Sequence, residues 1–306
     1  VITATRTERK LGNLAVPVQI ITQRSIRNAG MVRLNDVLAE QTGLYITSSG
    51  ASSSAGGGVF GNGVQIQGLS PDYTLILLDG EPIIGRQGGV IDLSRLSVAN
   101  IKRIEIVKGP SSSLYGSEAM GGVVNIISEQ ARAKRLDAGI RFGRFNAIDA
   151  NLTAAIRNKH WGLQLFGNRN SSDGYDLDKN QPGKTVDPFY NYTTQLRTHL
   201  DICPRTRAAI SARYFSEDQT NYFTTVDLVS NEPVAITGKG VVHDLNLNPT
   251  LTHQFTPSLR SSLRLYLSRY EYEQNLVKLE DKSTYYYDHF LQEYYRAENQ
   301  IDLSIK

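Results

Sequence analysis

The sequence predicts an α+β module followed by antiparallel transmembrane β-barrel strands, and three observations carry that prediction. The stretch from Lys102 to Ser128 reads as a strand, a Gly-Pro turn, a Ser-rich bend, a Gly-rich bend and a second strand. From about residue 135 the hydrophobic period becomes two and stays so. No run of 18 or more apolar residues occurs, so no transmembrane helix is expected. A membrane strand needs only every second residue to be apolar, so the modest 40% apolar content does not argue against a barrel.

In the first part, Val16 to Thr22 (VPVQIIT) is expected to be a short strand. Leu34 to Glu40 has helical spacing, with Leu34, Val37 and Leu38 on one face and a stop near Gly43. Leu75 to Leu78 is a strand followed by the turn dipeptide Asp79-Gly80, and Val123 to Ile127 is a second apolar strand. The expected domains are 1–130 for this module and 131–306 for the barrel portion.

Eight staves are counted in the second part, from Leu136–Phe142 to Tyr295–Ile305. A soluble sandwich also alternates, so the connections decide. Asn158-Lys159, Cys203-Pro204-Arg205 and Thr256-Pro257-Ser258 are short, whereas about 170–191, 217–244 and 274–293 are long. Short turns on one side and long loops on the other are the outer-membrane pattern. Eight strands enclose only their own side chains, and a plugged lumen takes about 22 strands. The chain is therefore expected to be the N-terminal portion of a longer protein. Such a plugged barrel implies passage of a solute rather than catalysis.

Composition excludes several other classes. The net charge of +3 is small and its cations are spread along strands, which excludes a nucleic-acid patch. A single cysteine, Cys203, excludes an internal disulfide and a cysteine metal site. Gly56, Gly58 and Gly61 fit a dinucleotide fingerprint, but a strand rather than a helix follows them. No nucleophile–base set or paired catalytic carboxylates are visible, so no enzyme is expected.

Seven ordered segments over the first 130 residues resemble the plug of TonB-dependent outer-membrane transporters. They are Val1–Arg6, Leu34–Leu38, Val64–Gly68, Leu75–Gly80, Ile104–Pro110, Leu114–Ser117 and Gly121–Ile127, and Asp173–Asp176 adds a stave-side match. The resemblance implies the bacterial outer membrane and outer-membrane lipid around the staves. It implies an imported metal chelate (a ferric siderophore, haem or cobalamin, with a slight lean to the last two) and no required cofactor. Its implied partner is TonB with the inner-membrane energising complex, grasping Val1, Ile2, Thr3 and Ala4. Where the family has arginines that latch plug to barrel, this chain has Gln67 and Lys108, and only the lysine keeps a single-point pairing.

Candidate ligand-facing residues are Ser52, Ser53, Ser54, Phe60 and Asn62 in a Ser/Gly-rich loop, Arg86 and Gln87 in a second loop, and Tyr222 and Tyr286 in outer loops. Arg86 and Gln87 offer donors to an anionic or amide-rich ligand. Tyr285, Tyr286, Tyr287 and Phe290 suit either a flat ligand or an interfacial girdle. Asp173, Asp176 and Asp178 supply hard oxygens for calcium but lack a full ligand spacing. The alternative function is a surface receptor for a lipoprotein or glycan.

Overall fold

The structure, a computed structural model, describes residues 17–31, 33–48, 62–87, 89–109, 115–130, 133–177, 184–226 and 231–304. They divide into two compact units, the first ending at Glu129 and the second beginning at Gln130. Val1 to Ala4, Ser52, Ser53, Ser54, Phe60 and Asp178 lie outside the described residues.

The first unit contains β1 (Val18–Thr22), α1 (Gln23–Ala29), α2 (Leu34–Ala39), β2 (Leu44–Ser48), β3 (Asn62–Ile66), β4 (Thr74–Leu78), β5 (Glu81–Pro82), β6 (Arg86–Gln87), β7 (Val90–Ile91), β8 (Ile101–Lys108) and β9 (Gly122–Ser128). Its main sheet runs in the order β1-β8-β9-β4-β5, with β4 and β9 parallel and the other pairs antiparallel. Leu34, Val37 and Leu38 of α2 are buried with Ile66, Ile104, Ile106 and Ile126, as the helical spacing requires. Helix α1 is a finding, because QRSIRNA holds one large apolar residue, Ile26, beside the small Ala29. Its caps define it instead. The Thr22 side chain accepts from Ser25 N at 3.2 Å, and Gly30 at φ 68° closes the end through Arg27 O at 3.1 Å.

The Asp79-Gly80 turn has φ of 56° and 87°, and its aspartate earns the position twice over. Asp79 tolerates the left-handed region, and its carboxylate accepts from Ser128 N at 2.9 Å and Ser128 Oγ at 2.7 Å. Gly122 has φ 148°, and a Cβ there would lie 2.4 Å from Val107 O and 2.9 Å from an Ile66 methyl. Only glycine fits between β8 and the core at that point.

The second unit is one antiparallel sheet in chain order: β10 (Arg135–Gly143), β11 (Ala147–Arg157), β12 (Trp161–Ser172), β13 (Phe189–Cys203), β14 (Thr206–Val226), β15 (Pro233–Thr256), β16 (Leu259–Lys278) and β17 (Thr284–Leu303). The first turn places Phe145 and Asn146 at φ 59° and 54°, a primed hairpin geometry. Phe145 is costly there, and its ring is held against Tyr175 at 5.1 Å and under Arg144 at 5.0 Å.

The two faces of this sheet reverse the soluble pattern. Leu136, Ile140, Leu152, Leu200, Ile202, Leu251, Phe255, Ile301 and Leu303 are exposed, while Gln164, Gln195, Arg213, Asp244, Asn246 and Ser268 on the other face are buried. An exposed apolar band on alternate residues is what hydrocarbon, not water, selects.

The expected long loops at 217–244 and 274–293 are largely strand. β14 and β15 continue to Val226 and from Pro233, and β16 and β17 leave only residues 279–283 between them. Apolar alternation stops at the cross-strand row Tyr214–Leu245–Arg269–Glu293, yet pairing runs on. Beyond that row water replaces lipid, so the hydrophobic signal vanishes while β-favouring Tyr, Thr, Val and Phe keep the ladder. Tyr222 and Tyr286 therefore sit on strands, not in loops.

Replacing Gly122 by alanine should break the β8–β9 contact and destabilise the first unit by roughly 2 kcal/mol or more. Thermal unfolding of the detergent-solubilised protein checks this; an unchanged midpoint would contradict the close approach.

Candidate functional site

In the first unit, the hairpin β6–β7 carries both polar candidates. Arg86 spends its guanidinium on backbone carbonyls: Pro71 O at 3.0 Å, Gly89 O at 3.1 Å and Thr74 O at 2.8 Å. Burial lowers its pKa, and Glu118 and Asp72 oppose that shift. Arg86 thus clamps the hairpin to the turn before β4 rather than standing ready for an anion. Gln87 is its opposite. Neither polar atom of its side chain is accessible to solvent, and neither has a hydrogen-bond partner among the described residues. An unsatisfied buried amide group costs about 1–3 kcal/mol, so the site holds it against the interest of stability.

Asn62 opens β3 opposite Ser48. Gln67 is exposed in the left-handed region at φ 55°, with its N–H on Gly43 O at 3.1 Å. The Lys108 ammonium donates to Thr42 O at the end of the turn after α2. That contact ties β8 to the α2–β2 corner within the first unit.

In the second unit, the polar face carries several hydrogen-bonded clusters of side chains. Arg213 NH1 meets Asp244 Oδ2 at 2.9 Å and Asn246 Oδ1 at 3.0 Å, and Asn246 donates to Ser268 Oγ at 2.7 Å. Asn191 donates to Glu217 Oε2 at 2.8 Å. Asp187, in the connection from β12 to β13, accepts from Asn221 Nδ2 at 3.0 Å and from Tyr222 N at 3.3 Å. Rings line the same face, with Tyr270 and Phe290 6.1 Å apart and Tyr266 and Tyr294 5.9 Å apart. Burial pushes the Asp187 carboxyl up, and Asn221, Tyr222 N and Lys184 pull against that. Tyr286 is raised by burial and then by Asp288.

Among the described residues no group of three or more His, Cys, Asp or Glu side chains is placed to hold a metal. At the calcium candidate Asp173, the Lys184 ammonium donates to the Asp173 backbone carbonyl at 2.6 Å.

Sequence reasoning singled out Arg86 and Gln87 but not Asp187, Asn191, Arg213, Glu217, Asn221 or Asp244. All of these except Asp187 stand on the polar phase of the staves, so cross-strand register would have found them. Asp187 lies in a connection where no periodicity speaks.

Residues 10–123 match the TonB-dependent Receptor Plug Domain. The chain carries a TonB-dependent receptor plug. Over the whole chain, the fold is similar to that of the Pseudomonas aeruginosa receptor FpvA bound to heterologous pyoverdines: TM-score 0.67, 13% identity, covering 99% of this chain and 51% of that one. A point mutant of the ferric enterobactin receptor PfeA from the same organism gives TM-score 0.59 at 17% identity, covering 99% and 56%. The siderophore receptor PirA from Acinetobacter baumannii gives 0.57 at 16%, covering 93% and 48%. The chain spans about half the length of these solved structures. A plug followed by antiparallel strands with an exposed apolar face is the fold shared with these receptors.

Replacing Arg213 by methionine should cost about 3–5 kcal/mol, because it removes the cation that pairs with the buried Asp244 carboxylate. Adding Asp244→Asn should recover more than half of that loss in a double-mutant unfolding cycle.

The raised pKa of Asp187 gives a signed pH effect. Between the unfolded carboxyl value and the raised folded value, the folded form keeps a proton that the unfolded form has lost. Local stability around Asn221 and Tyr222 should then fall as pH rises through that window and level off above it. Hydrogen-exchange protection, corrected for intrinsic rate, should show this slope in the natural protein and lose it in Asp187→Asn.

Proposed function

We propose that the chain is the plug-bearing portion of a receptor that captures a scarce metal chelate outside the cell, a ferric siderophore in the first instance, and imports it with force transmitted by TonB. One observation carries this reading: a TonB-dependent receptor plug leads directly into strands with an apolar, lipid-facing side and a polar, ring-lined side. The receptors of similar fold are named for siderophores, pyoverdine and ferric enterobactin among them.

The energetics require the coupling. Nanomolar capture is about −12 kcal/mol. With association near 10⁶ M⁻¹s⁻¹, spontaneous release then takes on the order of a thousand seconds. An envelope layer with no nucleotide triphosphate of its own needs work from elsewhere to discharge such a cargo. Tension on the N-terminal segment supplies it, and β1 is the natural first strand to yield, since among the described residues it sits at the sheet edge and pairs only with β8. Gln87 is the plug residue we propose to meet cargo: its closed-off amide has no partner among the described residues, so a shift of the β6–β7 hairpin that opens it to a chelate would relieve that cost.

The test is a calorimetric titration of the full-length, detergent-purified protein with ferric pyoverdine, ferric enterobactin, haem and cobalamin. Submicromolar binding of a ferric siderophore is expected. Binding of haem or cobalamin alone would move the cargo class, and binding of none would overturn the receptor reading. Gln87→Ala should weaken the bound chelate about tenfold while raising the unfolding temperature, the opposite signs of a functional residue held at a cost to stability. Deleting residues 1–6 should leave binding intact and abolish uptake.

A further inference from the structure

We propose that Asp187 is a positioning residue that fixes the outer part of β14 as a preformed wall of the chelate site, a wall that stays in place while cargo binds. The proposal rests on the receptor reading above.

The need for a brace comes from unequal strand lengths. β13 begins at Phe189, paired with Gln219, while β14 runs on to Val226. Past Gln219, β14 has no strand beside it on that side, and an open edge is both mobile and adhesive. Residues 184–188 take the missing place. Thr220 N donates to Pro188 O at 3.0 Å, and Lys184 N donates to Tyr222 O at 3.2 Å. Between these, Tyr222 N finds no backbone carbonyl and donates instead to the Asp187 carboxylate. Asp187 completes the ladder with its side chain.

The same carboxylate sets the direction of a second link. It can only accept, so Asn221 must present its amide nitrogen to Asp187 and its oxygen elsewhere. That oxygen takes Gln274 Nε2 at 3.4 Å, on β16. The reach from β14 to β16 crosses β15 at Gly238 and Gly240, the residues opposite Asn221 and Gln274. At Gly238 a Cβ would lie 2.0 Å from Asn275 O, so no larger residue fills that gap.

The brace is anchored at its far end as well. Tyr175 and Val186 exchange two backbone bonds of 3.0 Å, and Asp173 N donates to Phe145 O at 3.0 Å in the β10–β11 turn. Gly174 at φ 68° is obligatory, since a Cβ would lie 2.1 Å from Val186 O. A continuous chain of contacts thus runs from the first hairpin turn to β16. Asp187, Asn221 and Gln274 are 7%, 1% and 0% exposed, which is the burial of a structural joint rather than of a moving flap. Preorganisation of this kind raises affinity by removing the ordering cost from the binding step.

The experiment uses the full-length protein and whichever of ferric pyoverdine or ferric enterobactin the natural protein binds. Asp187→Ala should bind about tenfold more weakly, with faster amide exchange at 220–222. Asp187→Asn should behave alike, because it sets one amide donor against another. The swap Asp187→Asn with Asn221→Asp should return affinity to within about twofold of the natural protein. In a Cys203→Ser background, Asp187→Cys with Asn221→Cys should bind weakly when reduced. Once the disulfide is closed, it should recover both binding and uptake. If Asp187→Ala does not fold, the cysteine pair decides alone. Natural affinity in a folded Asp187→Ala, failure of the swap to recover it, or a closed crosslink that blocks binding or uptake would overturn the proposal. If the natural protein binds neither chelate, nor haem or cobalamin, the receptor reading fails first and takes this one with it.

Discussion

Hydrocarbon offers no hydrogen bonds, and that single constraint shapes the second unit. Each backbone N–H and C=O within the apolar band must be paired by a neighbouring strand. The result is a sheet in strict chain order whose register shifts lie near strand ends, at Asp201/Cys203, Gln254/Thr256 and Leu276/Val277. The pairing between β15 and β16 skips Asn248 and Pro249, where proline has no N–H to give. Side-chain alternation then follows from the pleat, with one phase turned to lipid and the other free to be polar.

The polar phase could not remain a collection of separate charges. Arg213, Asp244 and Glu217 are nearly as buried as any leucine of the first unit, so each needs a partner fixed by geometry. Their partners come from the adjacent strand or from two residues along the same one, the distances that a twisted antiparallel ladder holds constant. Rigidity on this face is therefore a by-product of keeping charges solvated by protein. The first unit solves a different problem, with a mixed sheet whose middle strands β9 and β4 are covered on both sides.

How much of this was legible in the sequence depended on whether burial left a periodic trace. Leu34, Val37 and Leu38 announced α2, and the eight staves were countable because lipid enforces alternation. Helix α1 was missed because its evidence lay in Thr22 and Gly30, two cap residues around a mostly polar segment. The outer halves of β14 to β17 were read as loops for a related reason: water on the exposed face erases the apolar phase while pairing persists. Among site residues, the sequence pointed to Arg86 and Gln87 as equals. Three backbone carbonyls claim the first, and the second is left unsatisfied, a difference that only spatial neighbours reveal. Asp187 was invisible, since a carboxylate completing a ladder looks like any acidic residue in a long connection.

The regular strands beyond the apolar band divide their residues into two populations with separate fates. On the side away from the polar network stand Ser216, Lys239, Glu271 and His289, with Glu271 held by Arg269 at 3.0 Å and His289 at 3.1 Å on the same face. Exchanging them leaves the ladder and the braced wall unchanged. That face is free to drift in sequence while the alternate residues of the same strands, tied into the polar network, are not.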